Sequence, residues 1–182
     1  MEDQVRLSIM IALIALLALV VAVPTVFAQP QGREPNPKAP QDVSVTFPPE
    51  FVATFPGSCD FPLQIVLSGK AKEIQLPNGG LLITSPGLDA TLTNFTDPDA
   101  VNPPSVTFNV TGSTVTSTDP ETGDVTTVAR GRNLLIDPVA GTVIAIGNFS
   151  FTFDEAGQLS QPLAGKGQLI DVCALLGPSP PS

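Results

Sequence analysis

Residues 147–153 read GNFSFTF, and the alternation in them decides the fold class. Phe149, Phe151 and Phe153 fall on one side of an extended chain and Ser150 and Thr152 on the other, the period of two that a half-buried strand requires. Working outward, SVTFNVTGSTVTS (105–117) repeats the pattern with Val106, Phe108 and Val110. It then changes phase across Gly112, so that Val115 has the opposite parity, which predicts a β-bulge. LPNGG (76–80), TDPETGD (118–124), DPVAG (137–141) and DEAGQ (154–158) each separate two apolar or Thr-rich runs and read as hairpin turns. The spacing predicts about eight strands, near 61–75, 81–85, 88–95, 105–117, 124–136, 142–153, 158–164 and 166–174. No stretch beyond residue 28 sustains a 3.6-residue apolar period. The expected fold is all-β, an antiparallel meander closed as a barrel, with a two-sheet β-sandwich as the alternative.

The amino terminus is set apart from this pattern. RLSIMIALIALLALVVAVPTVFA (6–28) has no charge after Arg6, an apolar run over 7–23, a breaker at Pro24, and Val26 and Ala28 at the positions a signal peptidase reads. These features predict a secretory signal peptide cleaved after Ala28. An uncleaved membrane anchor is the alternative, because the run meets the lower edge of the roughly 17–25 residues that span a bilayer, and Glu2 and Asp3 offset Arg6. No cysteine follows the run, as a lipoprotein would need, and the GPSPPS ending (177–182) has neither a sorting motif nor a hydrophobic anchor. The mature chain is expected to be secreted, with no stable membrane anchor. Its domains read as a proline-rich linker at 29–50, a single all-β domain at 51–177 and a tail at 178–182. Phe47, Phe51 and Phe55 at the end of the linker have helical spacing, but Pro48, Pro49 and Pro56 favour an extended arm laid on the domain.

Export gives the two cysteines their meaning. An oxidising compartment lets Cys59 and Cys173 pair, and two cysteines allow one connectivity. Two separate buried thiols remain the other reading. Cys59 precedes the first strand of the pattern and Cys173 ends the last, so a bridge is expected to pin the seam of a closed sheet. In the chain-entropy model, closing a loop near 100 residues is worth about 4.7 kcal/mol.

The absent residues exclude more chemistry than the motifs suggest. The full chain has no His, Trp or Tyr. Without His there is no Ser-His-Asp or Cys-His nucleophile and no His-ligated zinc, and without Trp and Tyr the usual stacking platforms for sugars are missing. Cleavage would remove Glu2, Asp3 and Arg6 and leave a net charge of −8 on 154 residues, which argues against nucleic acid as a partner. SGKAK and AGKGQ lack the glycine spacing of a phosphate-binding loop, so no cofactor is expected. Asp97, Asp99 and Asn102 in TDPDAVN are a candidate calcium set, set against the simpler reading of solvated turn caps. Arg130 and Arg132, with Lys70 and Lys72, repeat a two-residue spacing of cations on strands, a candidate anion-binding set. NFT (94), NVT (109) and NFS (148) fit the N-glycosylation pattern.

GKAKEIQLPNGG (69–80), SPGLDATLTN (85–94), GRNLLIDP (131–138), GNFSFTF and GQLIDVCALL (167–176) together resemble a group of secreted bacterial, chiefly actinobacterial, proteins. That group combines a signal peptide, one cysteine-containing β-domain and a DVCALL-type ending. The resemblance covers most of 59–177, implies export and the disulfide arrangement, and implies no activity. The expected function is a non-enzymatic extracellular or envelope module that binds or builds. A carrier barrel for a small apolar or anionic ligand is the second reading, and a carboxylate-dependent hydrolase the third. The expected partner is an envelope component or a small ligand.

Overall fold

Nine strands and two short helices follow one another among residues 39–177, which the computed structural model describes. The signal peptide expected at 1–28, the first part of the linker and the 178–182 tail lie outside these residues. The elements are β1 (Gln41–Phe47), α1 (Pro49–Val52), β2 (Leu63–Gln75), β3 (Leu81–Thr84), β4 (Asp89–Asn94) and β5 (Ser105–Asn109). After them come β6 (Ser113–Thr118), β7 (Val125–Asp137), β8 (Gly141–Phe153), β9 (Leu159–Asp171) and α2 (Val172–Leu176). Every strand pairing is antiparallel.

The four turns read from sequence are hairpin turns or the breaks between paired strands, and aspartates organise three of them. Asp119 Oδ1 accepts the Glu121 N–H at 2.8 Å, Asp137 Oδ1 accepts the N–H groups of Val139 and Ala140 at 2.9 and 2.7 Å, and Asp154 Oδ1 accepts that of Gln158 at 2.7 Å. Each carboxylate supplies the local acceptor that turns the chain back. The threonines in the flanking runs meet across the ladders: Thr91 with Thr107 at 2.9 Å, Thr116 with Thr127 at 3.2 Å and Thr126 with Thr152 at 3.0 Å. Such directly opposed hydroxyl pairs are a unit of sheet stabilisation. Thr152, assigned by parity to a solvent face, is only 4% exposed, and the β8–β9 register shifts on either side of it.

Strands β3 and β4 line the same side of β2 in turn, from Gln75↔Leu81 to Lys72↔Thr84 and then from Ser68↔Asp89 to Leu63↔Asn94. In the same way β6 pairs β3 and β5 pairs β4. The stretch 105–117 is thus one long strand broken at Val110–Gly112, where the phase change lies. Beyond the break the sheet divides. β5 pairs β4 alone, and β7 from Gly131 to Asp137 has only β8 beside it. One leaf is β1–β2–β4–β5 and the other is the far halves of β7, β8 and β9.

The core lies between these leaves. Leu63, Ile65, Ala90 and Leu92 of the first pack with Ile144 of the second, with Leu134, Ile136 and Ile170 against them. Val52 of α1 and Val172 and Leu176 of α2 complete the cluster. Complete burial of such side chains is worth about 1.5–3 kcal/mol each.

The sheet is not closed, which corrects the expected barrel in favour of the sandwich and meander reading. β1 takes the edge of β2 from Ile65 to Ala71 that a closing β9 would need, and β9 pairs β8 alone. β1 itself lies in the segment read as linker. The single strand β9 and α2 stand where two strands were expected at 158–174. The phenylalanines of the arm do use their four-residue spacing: Pro49 opens α1, Phe47 and Phe51 stack at 5.7 Å and Phe51 meets Phe55 edge-on at 5.2 Å. Proline is tolerated in a first helical turn because its missing N–H has no partner there anyway.

Cys59 and Cys173 form the disulfide, with Cα atoms 5.3 Å apart. The bond does not pin a sheet seam as expected, because the end strands never pair. It ties the loop before β2 to α2, over the open end of the core. The Asp171 carboxylate caps α2 by accepting the Ala174 N–H at 2.9 Å, and buried Asn94 donates to Leu176 O at 2.8 Å. A five-residue helix is marginal by itself, so these three ties and two buried side chains hold it.

Candidate functional site

A line of small residues crosses the strands where the sheet divides. Gly131 is directly opposite Gly147 and Gly147 opposite Gly167, while Gly112 adjoins Gly131 and its carbonyl accepts the Ser85 N–H at 3.1 Å. At Gly147 (φ +147°) a Cβ would stand 2.2 Å from Lys166 O, and at Gly167 (φ +148°) 2.1 Å from Ile146 O. The backbones approach too closely here for any side chain, and the φ values suit glycine alone. Asn133, 8% exposed, fills the fork, with its side-chain amide donating to Arg130 O at 3.0 Å.

All five Lys and Arg residues among the described residues flank this line: Lys70 and Lys72 around Ala71, Arg130 and Arg132 around Gly131, and Lys166 before Gly167. Three of them share one register row. Lys72 is opposite Thr84, Thr84 opposite Ser113, Ser113 opposite Arg130, Arg130 opposite Asn148, and Asn148 opposite Lys166. Directly opposed residues of antiparallel strands project from the same face. The row is therefore a six-strand stripe in which hydroxyl and amide groups separate three cations. Arg130, Asn148 and Lys166 are exposed, while Lys72, Thr84 and Ser113 are half-buried. The next row on this face, Ile74–Leu82–Val115–Val128–Ser150–Ala164, carries no charge.

Of the four cations singled out in the sequence, the structure aligns Lys72 and Arg130. Arg132 is also exposed, one register step away opposite Ile146 and beyond the irregular Gly131 (φ +82°). Lys70 stands outside the row, opposite Asp42 of β1. Among the described residues, Arg130, Arg132 and Lys166 form no ion pair with a carboxylate. Lys166 escaped the sequence reading because it has no second cation two residues away. The signal it shares with Arg130 and Arg132 is a cation set against glycine, in Gly165-Lys-Gly167 and Arg130-Gly-Arg132.

The other candidates are dispersed. Asp97 Oδ1 accepts the Asp99 N–H at 3.0 Å, which makes it a turn residue, and Asp97, Asp99 and Asn102 are all exposed. No group of three or more acidic or cysteine side chains comes together among the described residues. Asp137 is the one buried carboxylate among them, so no two acids share a buried site. Its Oδ2 has no hydrogen-bond partner, while its Oδ1 carries the turn. Of the three glycosylation patterns, Asn94 is buried, Asn109 donates to Asp89 at 2.9 Å and Asn148 belongs to the exposed row. No helix among the described residues is long and apolar enough to cross a membrane.

Compared with protein-family models, curated proteins and solved structures, the chain matches none.

Proposed function

We propose that this chain is a secreted, non-enzymatic binding module of the extracellular space or cell envelope, and that its belt of Lys and Arg recognises anionic groups. One observation carries the reading: in an acidic domain, the five cations among the described residues border the small-residue line across the sheet, three of them in one register row, and Arg130, Arg132 and Lys166 are exposed with no carboxylate partner among those residues. Cations distributed only for solubility would be interspersed with acids and paired with them. Arginine adds a planar donor fork suited to carboxylate and phosphate oxygens. The disulfide agrees with an oxidising exterior. A carrier barrel would need an enclosed interior, which an open sheet does not supply, so the anion-binding part of that reading moves to the exposed belt.

The test is a panel of small anions, citrate, glucuronate and phosphate, titrated against the oxidised protein and Arg130→Gln/Arg132→Gln. A ligand that binds the folded state raises the melting temperature. The expected result is a shift with at least one anion that shrinks in the double variant. Equal shifts in both proteins, or none with any anion, would remove the reading.

A further inference from the structure

The arrangement of the row limits what it can hold, and we propose that its ligand is a linear acidic polysaccharide lying across the strands. This inference rests on the anion-binding reading above. Adjacent strands are about 4.8 Å apart, so Lys72 and Arg130, three strands apart, are separated by about 14 Å, and Arg130 and Lys166, two apart, by about 10 Å. A single carboxylate reaches one of these cations. A polymer of about 24 Å, five strand spacings, reaches all three.

The acids fix the direction. Asp119, Glu121, Asp124, Asp154 and Glu155 occupy the hairpin turns at one end of the strands, and Asp97, Asp99, Asp137 and Asp171 lie at the other, while Asp42 and Asp89 stand on β1 and β4 beside β2, outside the row. A polyanion running along the strands meets carboxylates at both ends, whereas one running across them follows the cations. Like-charge juxtaposition of this kind selects orientation as well as partner.

The chemistry between the cations selects the polymer. Thr84, Ser113 and Asn148 place hydroxyl and amide groups between Lys72, Arg130 and Lys166. Neutral donors and acceptors set between charges match a chain whose carboxylates are separated by sugar hydroxyls. Polyphosphate, which has anionic oxygens on every unit and no hydroxyl between them, leaves those three groups facing acceptors with nothing to offer the hydroxyl lone pairs. The uncharged row beside it, with Ile74, Leu82, Val115 and Val128, suits the C–H faces of sugar rings in place of the absent Trp and Tyr.

The experiment is calorimetric titration of the oxidised protein with α-linked oligogalacturonates of graded length, from the monomer to chains longer than about 24 Å, with polyphosphate and neutral dextran of similar length as controls. Affinity is expected to rise with length and level off once the chain spans the row, and to weaken with salt. Arg130→Gln and Lys166→Gln should each weaken the long oligomer about two- to fivefold, as exposed charge pairs do. Lys166→Gln with Gln168→Lys keeps the net charge but moves a cation out of the row, and should not restore binding. Restored binding in that variant, a monomer as strong as the long chain, or tighter binding of polyphosphate or dextran would overturn the proposal. Small anions that bind through Arg130 with no gain from length would leave the function of the belt standing and defeat only the polymer. No binding of any anion would defeat both.

Discussion

Replacing Gly147 by alanine should cost this domain much of its stability. A Cβ there would sit 2.2 Å from Lys166 O and 2.8 Å from the Gly167 Cα, where real contacts of a Cβ are essentially never below 3.0 Å. The obstacle is backbone of the paired strand, so β8 and β9 must separate by about 0.8 Å at a point where both neighbours are also in register. Overpacking of this kind costs about 1–3 kcal/mol, and holding a non-glycine residue at φ +147° costs about 1–3 kcal/mol more. The combined loss of about 2–6 kcal/mol is a large part of the 5–15 kcal/mol typical of a domain. Gly79→Ala is the control, because Gly79 also has positive φ (+80°) but its Cβ would meet nothing within 4 Å. It should lose only about 1–2 kcal/mol. Urea unfolding of the oxidised proteins measures both, with equal m-values confirming that the folded and unfolded states are comparable. If Gly147→Ala loses no more than Gly79→Ala, the strands are not in close contact at the glycine line and the division of the sheet there is wrongly explained.

Two further outcomes follow from the core and its cap. Cys59→Ser with Cys173→Ser should lower stability by about 2–5 kcal/mol in urea while far-ultraviolet circular dichroism of the folded fraction stays the same, because the bond ties α2 over the core without joining strands; a changed strand signal would contradict that placement. Starting the chain at residue 48, in place of residue 39, should remove about 3 kcal/mol or more, because Val43 and Phe47 pack against the core cluster and β1 covers the β2 edge; equal unfolding midpoints for the two chains would return that segment to a linker.

Sequence alone determined what depends on neighbours along the chain. The alternation in 147–153, the change of phase at Gly112 and the Asp- and Gly-bearing turns report local geometry, since side chains alternate residue by residue and a turn takes only certain residues. The cysteine pair was legible for a different reason, because two cysteines allow only one connectivity. β1 was not, because proline-rich surroundings mask a strand that is stabilised by the edge of β2 and by the burial of Val43 and Phe47, neither of which is local. The short helix α2 was hidden in the same way, held by Asn94 and Cys59 from more than 80 residues away. The open sheet and the cation stripe belong to tertiary structure for one physical reason. Register between distant strands decides which residues stand side by side, and it is set by burial of the whole pattern together. Lys72, Arg130 and Lys166 are isolated in sequence. They become one surface only when β2, β3, β6, β7, β8 and β9 pair in order.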